Sequence, residues 1–315
     1  MKRHIICMGL AVSLLISGMC NLKVSAKEEF NIEKYAIRNQ YNFDNIEVNF
    51  ENDKVLLSNY VNSNMYTKEN NEELLVTLQE NEELCNVLSN TLSNSRDEKV
   101  IAVGVTTVYF REITDDYTGE VIEVKPISEN EYNNGKSSQM TNENMIRSTG
   151  STTTDGKLSL YTVASMSGNN LLGRSVAVWS GLGSVLSRND PSHHDDYISI
   201  SMPSSYIITE CYTVEDNALN RKTAVNCKNE QSSAVYRYKE YFHQSSAASP
   251  AYSNNISLFA TGVLDGSAPT TKKIISNYVH TYSVLQPTVN FDISGIGVSF
   301  SISGSAWEIS SQVII

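Results

Sequence analysis

The densest group of chemistry-bearing side chains is the run NDPSHHDD, Asn189 to Asp196, which holds two imidazoles and three carboxylates. Imidazole and carboxylate are ordinary zinc ligands, and Asp190, His193 and Asp195 form the candidate set. Imidazole also titrates near neutrality, so the same run could respond to pH. Against both, Pro191 and its Asn and Asp neighbours describe a solvated loop tip. Adjacent residues of an extended chain point to opposite faces, so His193 and His194 would rarely share an ion. The loop reading is the stronger one, and no cofactor is expected.

Aromatic spacing is the second lead. Tyr236 and Tyr238 fall on one strand face, as do Tyr278, His280 and Tyr282. Exposed, such stripes could stack on sugar rings or face a protein partner. Covered, they would simply line the core of a sheet, since Tyr suits half-buried strands. As single strand residues, His243 and His280 read more simply as hydrogen-bonded sheet histidines than as ligands.

Catalysis finds little support. The chain has no G-x-S-x-G, H-E-x-x-H, phosphate-loop or dinucleotide fingerprint. Ser and Thr are too abundant to single out a nucleophile, and Glu210 and Glu240 have no distinguishing context. Gly181-Leu182-Gly183-Ser184 lies between strands and reads as a turn. Asp115 and Asp116 match no calcium-loop spacing and read as a solvated turn. A secreted hydrolase therefore stands only as an alternative. Among the cysteines, Cys211 in YIITECYTV and Cys227 in KTAVNCKN sit in two strand-like segments joined by a polar turn, and are a candidate disulfide. That pairing would leave Cys85 as an odd thiol.

The elements that would position these groups begin after an export leader. Lys2, Arg3 and His4 precede the apolar run IICMGLAVSLLI, and Val24-Ser25-Ala26 fits a cleavage site, so residues 1–26 read as a signal peptide. A lipid on Cys20 is disfavoured by Met19 before it. Loss of Lys2, Arg3 and Lys23 takes the net charge from −11 to −14. That acidity argues against nucleic acid and anionic lipid as partners. Residues 27–127 form an acidic α+β region that would suit a pro-region, with a helix from Asn70 capped through Glu73 and two strands around DDYTG. Residues 128–154 read as a polar linker.

Residues 155–315 read as an antiparallel β-sandwich. Strands are expected near 157–166, 174–180, 196–202, 206–214, 221–227, 233–243, 255–263, 274–285, 288–294, 298–303 and 306–314, separated by turn signals and with no helical pattern between them. In the last of these, Val289, Phe291 and Ile293, then Val298, Phe300 and Ile302, alternate with Asn, Asp and Ser across Gly295-Ile296-Gly297. Membrane hairpins alternate in the same way. A spanning strand needs about 9–11 residues, and each arm here has about six before a Gly, so membrane insertion is not expected and the hairpin reads as the closing edge of the sandwich core. A pore-forming toxin-like protein is retained as an alternative.

The stretches GKLSLYT from Gly156 and YVHTYSVLQPTVNFDISGIGVSFSISGSAW from Tyr278 resemble a loose group of uncharacterised secreted proteins of Gram-positive bacteria. The resemblance covers 156–315 and implies a secreted all-β module without catalytic residues to transfer. The whole reading is a mainly β, extracellular protein with a small α+β N-terminal region. Its expected role is non-enzymatic binding at or near a cell surface, to a glycan or a protein, with the oligomeric state left open.

Overall fold

Alternation of buried and exposed residues carries most of this chain into strands. The computed structural model describes residues 32–43, 46–51, 54–59, 81–92, 98–117, 121–141, 150–180, 195–217, 222–226, 228–239, 241–242, 251–281, 288–291, 298–301 and 306–315. After a 3₁₀ turn at Ile32–Tyr35 come β1 (Ile37–Asn42), β2 (Ile46–Glu51), β3 (Lys54–Asn59) and helix α1 (Glu82–Leu92). Then follow β4 (Lys99–Asp115), β5 (Val121–Ile127), helix α2 (Glu129–Thr141), β6 (Ser151–Ser167) and β7 (Asn170–Ser180). The rest is strand: β8 (Asp195–Ser201), β9 (Tyr206–Asn217), β10 (Lys222–Asn226), β11 (Lys228–Glu230), β12 (Ser233–Lys239) and β13 (Tyr241–Phe242). Last come β14 (Ala251–Leu264), β15 (Lys273–Thr281), β16 (Thr288–Phe291), β17 (Val298–Ser301) and β18 (Ala306–Ile314).

Two antiparallel sheets face each other, which makes the fold a mainly β sandwich as expected. The larger has nine strands along the order β1-β4-β6-β7-β14-β9-β10, with β5 added to β4 and β13 to β14. The smaller has the order β11-β12-β8-β15-β18. Strand β18 packs over β4 and β6, β15 over β6 and β7, β8 over β7 and β14, and β12 over β14 and β9. Two glycines permit the closest approach. A Cβ on Gly104 would lie 2.0 Å from the Gln312 carbonyl oxygen, and one on Gly173 would lie 2.7 Å from Ile200 Cδ1. Between the sheets lie Phe110, Leu158, Leu160, Trp179, Ile198, Ile200, Leu258 and Ile309, all buried.

The central strands of the large sheet are covered on their other face too. Helix α1 places Leu84, Val87 and Leu88 against Val103 and Val105 of β4, Tyr161 and Val163 of β6, and Val176 of β7. Its first turn is capped by Asn81, whose side-chain oxygen accepts from the Leu84 N–H at 3.0 Å. The expected cap at Asn70 and Glu73 lies outside the described residues. Tyr161 donates its hydroxyl to Glu83 Oε1 at 2.8 Å, and Lys157 pairs with Glu83 Oε2 at 2.9 Å. The helix therefore rests on the sheet by apolar contact and is oriented by polar contacts at its N-terminal end.

Secondary structure fills part of the tract read as a linker. Within 128–154, Glu129–Thr141 is helical, and β6 begins at Ser151. The tract starts as a capping box: Ser128 N–H donates to Glu131 Oε2 at 2.8 Å, and Glu131 N–H donates to Ser128 Oγ at 3.3 Å. Tyr132 anchors the helix with its ring 4.5 Å from that of Tyr109. Arg111 on β4 holds Asp155 on β6 through two bonds of 2.8 Å. Strand β4 pairs with β6 from Lys99↔Met166 to Asp115↔Ser151, and with β1 and β5 on its other edge. Strands β1, β4 and β5 of 27–127 thus share one sheet with β6, β7, β14, β9 and β10, while β2 and β3 pair with each other. Residues 32–315 form one compact unit.

The C-terminal hairpin is also corrected. Strands β16 and β17 pair only with each other, in a sheet of their own. In β15, Tyr278 faces the large sheet, so its neighbour Asn277 faces out; in β8, Ile200 faces in and Ser201 out. Asn277 Nδ2 donates to the Val298 carbonyl at 3.1 Å, and the Val298 N–H donates to Ser201 Oγ at 3.1 Å. The hairpin therefore lies on the outer face of the small sheet and does not close the core. The edge of that sheet is β18. Lys272 and Ile315 exchange both backbone bonds, which turns the polar groups of Ile314 away from the ladder. Gln40 of β1 takes both: Nε2 donates to the Ile314 carbonyl at 3.1 Å, and Oε1 accepts from its N–H at 3.2 Å.

Candidate functional site

The inner face of the small sheet gathers the strongest polar cluster. Strand β8 turns Asp196 inward with Ile198 and Ile200, and β15 turns Tyr278 and His280 to the same side. Tyr278 donates its hydroxyl to Asp196 Oδ2 at 2.5 Å, and His280 Nδ1 lies 3.0 Å from the same oxygen. Across the sandwich, Trp179 Nε1 donates to the Tyr278 hydroxyl at 3.0 Å. The indole also meets the Tyr278 and His280 rings edge-on, with centroids 6.0 Å away in each case.

An aspartate on a histidine nitrogen is the orienting half of many catalytic sites. Here it has no access to a substrate. Asp196, Tyr278 and His280 are 1%, 0% and 2% exposed. The cluster is a buried, fully directed network that ties β8 and β15 to β7. A buried carboxylate needs this much pairing to be tolerated.

Burial separates the two readings of the aromatic stripes. Tyr278 and His280 are buried, so they form no exposed stacking stripe. Tyr236 pairs with Ile198 in the ladder and shares its inward face, where it is half-buried. The reason is that alternation sets which residues share a face but does not say which face is the core. The side chain of Tyr238 and all of Tyr282 lie outside the described residues. So do Asp190 and His193, and the side chain of Asp195 on β8. Among the described residues, no three His, Cys, Asp or Glu side chains come together in a metal-binding group. Cys211 is disulfide-bonded, and Cys85 is not. Ladder pairs β9 and β10 end at Asn226↔Tyr212, one residue short of Cys227 and Cys211; Cys227 itself lies outside the described residues.

The outer face of the large sheet carries a second cluster that sequence reasoning missed. Arg174 of β7 is buried beside helix α1. Its Nη1 donates to the Val87 carbonyl at 3.2 Å and its Nη2 to Ser257 Oγ at 3.0 Å. Its guanidinium carbon sits 4.4 Å from the centre of the Phe259 ring, which stacks on Tyr212 at 4.7 Å and 9°. Burial pulls the guanidinium down to about 10, opposed by Glu98, so it stays charged at neutral pH. Burial in turn pushes the Glu98 carboxyl up, against Ser165 and Arg174. An isolated Arg in an apolar strand, NLLGRSVAVW, was the available signal.

Phe259 and Tyr212 are half-exposed, and the same face continues to Ile207 and Val263, which pair across β9 and β14 at 43% and 40% exposure. Helix α1 covers β4, β6 and β7 on the outer face; this strip lies beyond it on β9 and β14. Among the described residues, no helix is long and apolar enough to cross a membrane, a statement that does not bear on strands.

No protein-family model matches the chain, and no curated protein matches it. Solved structures with some likeness include the Fap1 fimbrial adhesin of Streptococcus parasanguinis, at 10% identity over 49% of this chain and 78% of that one, TM-score 0.23. The collagen adhesin of S. aureus is similar at 6% identity over 67% and 90%, TM-score 0.22. A protein described as pore forming is similar at 7% identity over 67% and 92%, TM-score 0.22. Scores this low carry no argument about a shared fold or function.

Proposed function

We propose that this chain is an exported, non-enzymatic binding protein that works at or near a cell surface. The observation that carries the reading is the contrast between its two clusters. The His–Asp pair is sealed in the core, while the aromatic and apolar strip of Phe259, Tyr212, Ile207 and Val263 meets solvent. A rigid stacked pair braced by a buried guanidinium offers contact area at little cost in side-chain entropy. Export rests on the leader at 1–26, and acidity directs the strip to neutral glycans or proteins. Sedimentation with purified Gram-positive envelope tests this. The wild type should pellet, and the Tyr212→Ala, Phe259→Ala double variant should stay in solution with its unfolding midpoint little changed. Displacement by free sugar assigns a glycan target; loss after protease treatment of the envelope assigns a protein. Equal pelleting of variant and wild type would refute the strip as the contact surface.

We propose also that Cys211 pairs with Cys227. Non-reducing peptide mapping should recover the two peptides linked, and Cys85 alkylated without reduction.

A further inference from the structure

One layer of the sandwich core is made of hydroxyls. In the large sheet Gly104 of β4 pairs with Thr162 of β6, and Thr162 pairs with Ser175 of β7. In the small sheet Ser276 of β15 pairs with Ser311 of β18. Residues paired across a ladder share a face, so one contact orients each row. A Cβ on Gly104 would lie 3.4 Å from Ser311 Oγ, so both rows point between the sheets. Thr162, Ser175 and Ser276 are 0% exposed and Ser311 is 2% exposed.

The two rows also lie over one another. Ser311 sits above β4 at Gly104, and Ile200 of β8 sits above β7 at Gly173. Strand β15 runs between β8 and β18, and β6 runs between β4 and β7. Ile200 pairs with Ser276, so Ser276 is carried over β6, where Thr162 stands. The adjoining layers are apolar, with Leu160 and Ile309 on one side and Ala164, Ile274 and Val313 on the other, all buried.

Among the described residues, none of the hydroxyl oxygens of Thr162, Ser175, Ser276 and Ser311 has a hydrogen-bond partner. Groups buried so deeply are almost always paired, with protein or with ordered water. These converge from two sheets without bonding each other, which gives one small polar molecule several partners at once. We propose that this layer is a binding site for buried water, which bridges Thr162 and Ser175 of the large sheet to Ser276 and Ser311 of the small one.

The chemistry selects water over an ion. A hydroxyl both donates and accepts, and water answers both roles. A cation would meet acceptors but no counter-charge in this layer, and an uncompensated charge in a core is far more costly than a neutral guest. Bonds through water are nearly as good as direct ones. The layer therefore joins the sheets by hydrogen bonds where Gly and Ser supply little apolar contact.

Water-oxygen magnetic relaxation dispersion on the full chain reads long-lived internal water. The Thr162→Val, Ser276→Ala double variant is expected to lose part of the wild-type dispersion. If the double variant fails to fold, Thr162→Val alone carries that readout. Urea unfolding supplies a second. Each single variant should raise the unfolding constant about fivefold, as loss of one buried hydrogen bond does. The double variant should raise it by clearly less than the product, because the two side chains share a bridge. An unchanged dispersion or strict additivity would overturn the proposal. So would variants more stable than the wild type, the result of replacing unpaired hydroxyls in a dry core by apolar groups. Exchange of sodium chloride for choline chloride should leave the wild-type midpoint in place; a midpoint that follows sodium would make this a cation site and overturn the proposal as well.

Discussion

Strand β8 turns Asp196 inward and Ser199 and Ser201 outward, and both sides of it are out of water. Inside, one carboxylate is shared by Tyr278 and His280, and Trp179 of the opposite sheet completes the chain of bonds. Outside, neutral hydroxyls meet a hairpin backbone, and one of them meets nothing. Equal burial hides unequal commitment. A charge taken out of water must stay paired, whereas a serine loses little when its cover is exchanged for solvent. The inner face is held by a shared charge, the outer face by neutral bonds alone.

The largest break in that comparison is Asp196→Ala. It removes the acceptor shared by the Tyr278 hydroxyl and the His280 imidazole in the core, and should lower stability by about 3–5 kcal/mol. Urea unfolding followed by tryptophan fluorescence reads this directly, since Trp179 belongs to the network. A loss under about 1 kcal/mol would mean that the network does not hold the sheets together.

Glu308 sharpens the outer side. It shares an outward row of β18 with Ser310 and Gln312, and burial, then Glu33, pushes its carboxyl up to about 7 from 4.5. The native chain therefore keeps a proton that the unfolded chain has lost, and stability falls as pH rises through that window. Glu308→Gln should match the wild type near pH 4 and exceed it by about 1–2 kcal/mol near pH 8, after allowance for partial exposure. A pH-independent difference would remove Glu308 as the cause.

Ser201→Ala is expected to be the mildest. It removes the bonds to Val298 and Ser233 and should cost about 0.5–1.5 kcal/mol. Because Asp196 and Ser201 act through opposite faces, the double variant should show the sum of the two losses. Strong non-additivity would show that the two faces communicate.

Much of the sandwich was legible because alternation is a local property. Strands β4 and β5 around DDYTG, and the like-with-like rungs of β16 and β17, could be read from spacing alone. What could not be read was assignment between surfaces. Tyr278 and His280 sit on a common face in any register, but only the opposing sheet, with Trp179, makes that face the core. Helix α2 was missed because its sequence is polar throughout and Tyr132 alone of its described side chains is buried. Its capping box, Ser128 with Glu131, is the one local signal of the helix. The union of β4 with β6 spans the tract that looked like a linker, and pairing over such a distance leaves no local trace. Arg174 and Glu98 lie far apart in sequence and come within electrostatic reach because β4, β6 and β7 are neighbours in the sheet.

Gln40 has a consequence of its own. An exposed terminal strand such as β18 is a template on which a second molecule can add a strand, the first step toward fibres. Nothing in the order of strands removes that hazard, because β18 ends its sheet. A single carboxamide from the first strand of the other sheet reads Ile314 as a neighbouring backbone would, donating to its carbonyl and accepting from its amide. The start of the folded unit thereby polices its end, and a mature chain trimmed past Gln40 would carry a sticky margin that the intact one lacks.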